Sequence, residues 1–132
     1  MAESEQRRLV WGESGTVPVD SIDDLDRRLA ELAKEAKSRP FIAELIATNG
    51  NCVSMGLGRE ESVLSWVQAS KDPPYYASKG NLKAEGTIVF FYRGDLSEFP
   101  RWSAVPVTDA LAAMREFFET GERPTTVEWE EV

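Results

Sequence analysis

The spacing of apolar residues changes several times along this chain, and each change marks a predicted element. Leu9-Val10-Trp11 is a short apolar run closed by Gly12 and Gly15, the pattern of a first strand. From Ser21 the period becomes helical, with Ile22, Leu25, Leu29, Leu32 and Ala36 on one stripe. Ser21 can cap the first turn, and Asp24 three residues on makes a short-armed capping box. Asp20, Asp23 and Asp24 crowd the start of this helix and Lys34, Lys37 and Arg39 its end, which suits the helix dipole; Pro40 stops it.

Beyond Pro40 the period shortens to two. Phe41 to Thr48 and Cys52 to Gly58 are predicted to pair, with Asn49-Gly50 as a tight turn whose central residues tolerate positive φ. In the second strand Val53, Met55 and Leu57 share one face, and Cys52, Ser54, Gly56 and Gly58 the other. Ser62 to Gln68 reads as a third strand, followed by the loop Ser70-Lys71-Asp72-Pro73-Pro74-Tyr75-Tyr76. Thr87 to Tyr92 is apolar on both faces, which predicts a central strand. A second helix starts near Thr108, buries Ala110, Met114, Phe117 and Phe118, and ends at Gly121 and Pro124. Val127 and Trp129 alternate with Thr126, Glu128 and Glu130 in a last strand with one wet face. The predicted whole is a single α+β domain over residues 1–132. It is a largely antiparallel sheet of about five to six strands with two helices packed on one face.

Composition narrows what such a domain can do. Its 132 residues fit one domain. The longest apolar run, Ile88 to Tyr92, falls far short of the roughly 20 residues a membrane helix needs. Met1 to Trp11 contains no apolar leader segment, and the single cysteine, Cys52, cannot form an internal disulfide. A cytoplasmic location is therefore expected. The formal net charge of −8 makes nucleic acid and membranes poor partners and a basic macromolecule a good one.

The chain contains no histidine, which removes imidazole-based triads and the commonest zinc ligand. Carboxylate catalysis or an Asp/Glu metal site is what remains. Asp20, Asp23, Asp24 and Asp26 lack the alternating spacing and central glycine of a calcium loop, and a helix start accounts for them. Glu128-Trp129-Glu130-Glu131 puts alternate acids on one strand face, as carboxylates flanking a sugar would stand, but a solvated edge is the simpler account. Gly56-Leu57-Gly58 follows a strand as in a dinucleotide fold, yet Glu61 replaces the third glycine and would repel a pyrophosphate. Arg93-Gly94-Asp95 has the composition of a plain turn. Pro73-Pro74-Tyr75-Tyr76 has the PPxY form but sits mid-domain, where a WW-domain ligand would have to be exposed and unpacked. No catalytic, cofactor-binding or metal residue is assigned, no cofactor is expected, and the expectation is a protein that is not an enzyme.

One ordered series of residues points to a family. Gly56-Leu57-Gly58, Ser62-Val63-Leu64-Ser65-Trp66 and Asp72-Pro73-Pro74-Tyr75-Tyr76 are followed by Phe90-Phe91-Tyr92, Glu98-Phe99-Pro100 and Val105-Pro106. A helix carrying Glu116-Phe117-Phe118, then Gly121, Pro124 and Val127-Glu128-Trp129, completes it. Over almost the whole chain this series resembles the immunity protein Imm1 family. The resemblance implies a non-enzymatic protein of bacterial polymorphic toxin systems. Such proteins bind a cognate toxin, often one with a nucleic-acid deaminase domain, and protect the producing cell. The family carries over no catalytic residue. The acidic charge agrees, because a toxin that handles nucleic acid tends to carry a basic channel.

The residues expected to meet such a toxin are Asp72, Tyr75, Tyr76, Asp95, Glu98 and Trp102. Two prolines restrict the loop and lower the entropy lost on docking, and tyrosine offers large contact area with few rotors. The competing account folds Tyr75 and Tyr76 back as a lid on the core. Neighbours in an extended segment point opposite ways, so one packed and one exposed is a third outcome. Trp66 and Trp129 are expected in the core and Trp102 at the surface. A shared surface requires the proline loop and the Trp102 region to meet at one end of the sheet. The free protein is expected to be a monomer or homodimer. The rival functions are a small carboxylate-dependent hydrolase or metal-dependent enzyme, and a standalone regulatory binding module. A toxin gene immediately upstream would separate these from the first reading.

Overall fold

Ser21 caps the first helix through its hydroxyl, which accepts a hydrogen bond from the Asp24 N–H at 3.0 Å. The reciprocal arm closes one residue early: the Asp24 carboxylate accepts from the Asp20 N–H at 3.1 Å. This detail comes from a computed structural model that describes residues 6–132. Residues 1–5, part of the stretch without an apolar leader, lie outside the described residues. The elements run β1 (Arg8–Trp11), β2 (Gly15–Pro18), α1 (Ile22–Ala36), β3 (Phe41–Ile46), β4 (Cys52–Leu57), β5 (Glu61–Ser62) and β6 (Leu64–Val67). They continue with β7 (Tyr76–Ser78), β8 (Thr87–Tyr92), β9 (Asp95–Pro100), β10 (Val105–Pro106), α2 (Val107–Thr120) and β11 (Trp129–Glu131). Among the described residues no helix is long and apolar enough to cross a membrane.

The main sheet has the order β11-β7-β6-β4-β3-β1-β2 with every neighbouring pair antiparallel. Both helices cover one face, as the two amphipathic stripes require. Leu25, Leu29, Leu32 and Ala36 of α1 and Ala110, Met114, Phe117 and Phe118 of α2 pack there. They meet Leu45 of β3, Val53, Met55 and Leu57 of β4, and Leu64 and Trp66 of β6. Burying each large apolar side chain contributes about 1.5–3 kcal/mol, and Trp66 meets Phe117 edge-on at 5.8 Å. Gly121 in the left-handed conformation ends α2.

The other face holds a second, smaller core of Ile42, Val63, Ile88, Phe90 and Ala104, with Phe99 packed against it. Gly56 makes this possible. A Cβ there would stand 2.5 Å from the Phe90 ring, so only glycine leaves room for the phenyl group over β4. This arrangement corrects the placing of Thr87–Tyr92 at the centre of the sheet. β8 pairs along its length only with β9 and touches β3 through one parallel bridge, Phe41 to Phe91. It is apolar on both sides because Ile88 and Phe90 enter the second core while half-buried Phe91 lies under the Arg39 guanidinium, 3.9 Å from its centroid.

Two other expectations change. The β3–β4 connection is a five-residue loop, because the register sets Ile46 opposite Cys52, and within it only Gly50 takes positive φ. Asn49 and Asn51 instead donate through their side-chain amides to the Gly121 carbonyl at 3.0 and 2.9 Å, tying the loop to the end of α2. The third strand is broken at Val63 into β5 and β6, where the buried Ser62 hydroxyl donates to the Gly56 carbonyl and accepts from the Gly56 N–H. With the short strands β2, β7 and β10 and the six-residue β9 added, the strands outnumber the predicted five to six, and the α+β class stands.

Candidate partner-binding surfaces

The proline loop is held by its own side chains. Gln68 at the end of β6 donates to the carbonyls of Asp72 and Pro73 at 2.8 and 3.1 Å. Ser70 accepts from the Asp72 N–H, and the Tyr75 hydroxyl donates to the Lys71 carbonyl at 2.7 Å. Lys71 takes a left-handed conformation at φ 69°, and the Pro73–Pro74 peptide is cis. Asp72 is exposed. Tyr75 is 38 % exposed, whereas Tyr76 opens β7 beside Trp66 and packs against the main core. Of the two tyrosines, one therefore faces out and one packs in, as strand alternation allows.

Beside this loop lies a cleft of about 460 Å³ walled by Trp66, Gln68, Pro74, Tyr76, Arg123 and Trp129. The Arg123 guanidinium stands 4.0 Å from the Tyr76 ring centroid, a cation–π contact. Trp129 donates from Nε1 to the Pro124 carbonyl at 2.8 Å, which fixes its ring. The segment between α2 and β11 is anchored by Glu116, whose carboxylate accepts from the N–H and hydroxyl of Thr125 and from the Thr126 N–H. Burial alone would raise this carboxyl's pKa, but those donors outweigh it and hold it below the ordinary glutamate value.

The β8–β9 hairpin carries the second group of candidates. Arg93 at φ 52° and Gly94 at φ 90° form its two-residue turn, of type I′. Beneath it the buried Glu44 of β3 accepts from the Tyr92 hydroxyl at 2.9 Å and from Arg93 Nη2 at 2.8 Å. Burial pushes the Tyr92 hydroxyl's pKa up, and the Glu44 carboxylate pushes it further; the same carboxylate raises that of Arg93. Asp95 stands at the hairpin tip opposite Tyr92, and Glu98 lies exposed opposite Val89. Trp102 is half-buried in a single 3₁₀ turn, Arg101–Ser103, and its carbonyl accepts from the Gly80 N–H at 2.7 Å.

The structure thus brings Asp72, Tyr75 and Tyr76 together and places Asp95 and Glu98 on one strand. It does not bring the proline loop to Trp102. The loop enters β7 at Tyr76, while Trp102 meets Gly80 beyond that strand's other end, and Asp95 and Trp102 flank opposite ends of β9. Sequence reasoning missed Arg123, which no local pattern marks. It also missed Glu44, whose signal was a lone acid within the apolar strand FIAELI. Among the described residues no group of three or more Cys, Asp or Glu is placed to hold a metal ion. Burial pushes the Cys52 thiol up to about 12, so it stays protonated and is a poor nucleophile near neutral pH.

A family model described as immunity protein Imm1 matches residues 13–131. No curated protein matches the chain. The matched span takes in every element from β2 to β11 and both candidate surfaces, and the chain belongs to the Imm1 family of immunity proteins.

Proposed function

We propose that this immunity protein binds a cognate toxin domain in the cytoplasm and neutralises it by occupation alone, without catalysis. The family match over residues 13–131 carries this reading. The target is a nucleic-acid deaminase-type toxin. Its basic substrate channel complements a chain of net charge −8, and the acidic surface steers the two together. The proline loop supplies Asp72 and Tyr75 in a geometry fixed before docking, and Tyr76 and Arg123 wall the cleft beside it. The hairpin supplies Asp95 and Glu98, and Trp102 adds a separate contact. Because these regions stand apart, the toxin spans more than one of them. Co-expression with the toxin domain that this reading expects to be encoded immediately upstream is the test. Cells carrying both genes survive, and cells carrying the toxin domain alone do not; death of both would refute the reading.

A further inference from the structure

The β8–β9 hairpin leaves one backbone edge open. In a two-residue type I′ hairpin the flanking residues form a hydrogen-bonded pair, so Tyr92 and Asp95 bond to each other and the pattern alternates from there. Asp95, Ser97 and Phe99 therefore direct their backbone groups to β8, and Leu96, Glu98 and Pro100 direct theirs outward. Three observations agree with this phase. The Phe91 N–H, opposite Leu96, points away from β9 to the Pro40 carbonyl at 2.8 Å. The Val89 carbonyl, opposite Glu98, accepts from Arg59 Nε at 3.0 Å. Pro100, which has no N–H, stands at an outward position, where its carbonyl accepts from the Ser103 hydroxyl. Among the described residues nothing pairs with the N–H and C=O groups of Leu96 and Glu98.

Edges of this kind are normally blunted by brevity, proline, charged side chains or a bulge. At the sheet's ends, β11 has three residues and β2 has four with Pro18 last. β9 has six; Pro100 closes it as Pro18 closes β2, and its charges at Asp95 and Glu98 are both acidic, which turns away acidic strands and leaves Leu96 to Phe99 open to a basic one. Leu96 is 62 % exposed. Neither Asp95 nor Glu98 makes an ion pair among the described residues. The Glu13 carboxylate reaches the turn beside Gly94, while Arg93 is engaged by Glu44 and Arg39 by the Phe91 ring.

We propose that the outer edge of β9 is a docking strand that takes up an extended segment of the toxin by β-addition. Four backbone hydrogen bonds at Leu96 and Glu98 hold that segment, an apolar side chain covers Leu96, and basic side chains meet Asp95 and Glu98. A second copy of this chain fits worse, because pairing two β9 edges brings together two bodies of charge −8 and sets acids against acids. The proposal rests on the immunity reading above and names how the partner is gripped.

Amide hydrogen exchange measured by NMR on the purified chain, alone and saturated with the purified toxin domain, tests it. In the free protein the Leu96 and Glu98 amides exchange fast; in the complex they slow by about tenfold or more, while Ser97 and Phe99, already bonded to β8, change less. A formed complex with unchanged exchange at Leu96 and Glu98 overturns the docking strand and leaves the immunity reading standing. Failure to form any complex overturns both. Protection that grows with protein concentration in the absence of toxin assigns the edge to a second copy and overturns the proposed occupant. Glu98→Pro removes an N–H that β8 does not use and is expected to weaken binding about tenfold or more with an unchanged melt, whereas Glu98→Gln weakens it only about two- to threefold. Wild-type affinity in a folded Glu98→Pro variant overturns the proposal; if that variant unfolds, the exchange result decides.

Discussion

The proline loop and the β9 edge handle their backbone polar groups in opposite ways. In the loop, Gln68 and Tyr75 donate to the carbonyls of Lys71, Asp72 and Pro73, Ser70 accepts from the Asp72 N–H, and the Tyr75 carbonyl accepts from the Val132 N–H. Along β9, Leu96 and Glu98 leave theirs facing water. A loop that satisfies itself offers a partner a rigid shape made of side chains. A strand that does not offers hydrogen bonds. The two also differ in footing. The loop grows from β6 and β7, which are built into the main core, while the hairpin rests on β4 chiefly through Phe90 and on β3 through Glu44. Damage to the small core should therefore strike the hairpin first.

Phe90→Ala breaks this comparison most completely. The side chain is fully buried, and its loss is expected to cost about 3–5 kcal/mol. The hairpin then loosens, so hydrogen-exchange protection falls in β8 and β9 before it falls in β6 and β7. Gly56→Ala attacks the same contact from the sheet side. Its methyl group meets the Phe90 ring at 2.5 Å, and the expected cost is about 1–3 kcal/mol in a denaturant melt. Combined with Phe90→Ala it should cost less than when alone, because the missing ring makes room for the methyl group.

Arg93→Ala asks whether the ion pair under the turn matters as well as the small core. It leaves the buried Glu44 carboxylate with only the Tyr92 hydroxyl as a side-chain donor, a change worth about 1–3 kcal/mol in thermal melting. Tyr75→Phe sharpens the other half of the comparison with a smaller effect. Deleting the hydroxyl that closes on Lys71 should cost about 0.5–1.5 kcal/mol of stability and leave the hairpin's exchange unchanged. Tyr75→Ala should reduce toxin affinity by more than it reduces stability, because the ring is the exposed one of the pair.

The mildest expected effect concerns pH. The folded state holds the Glu116 carboxyl below its ordinary pKa, so its contribution is present above the unfolded-state value and is lost as pH falls through the folded one. Melting followed from about pH 6 down to about pH 3 should therefore fall less steeply in Glu116→Gln than in the wild type. An identical slope would show that the Thr125–Thr126 clasp is not sensed in folding.

The two helices, the β3–β4 pair and the helix-covered face were legible because their apolar periods are long enough to fix orientation. Ile22 through Ala36 and Ala110 through Phe118 each leave a single stripe to bury. β9 was not legible. Its sequence, DLSEFP, has no apolar face of its own and is a strand only because the Arg93-Gly94 turn returns it along β8. The same turn explains why β8 looked central: a strand with two covered faces reads alike whether its edges are paired or not. Of the candidate site, the outward Tyr75 and inward Tyr76 follow from strand alternation. The separation of Trp102 from the proline loop does not, since it depends on which end of the three-residue β7 each approaches.

The central claim is that this chain silences a toxin by binding it, and a titration of toxin activity tests that claim most directly. Purified chain is added in increments to a fixed amount of the purified toxin domain, and the toxin's own activity is followed at low and at physiological salt. Activity should fall linearly to zero near one chain per toxin. Association should slow as salt rises and the Debye length shrinks to about 8 Å. Full toxin activity in the presence of excess chain would contradict the account.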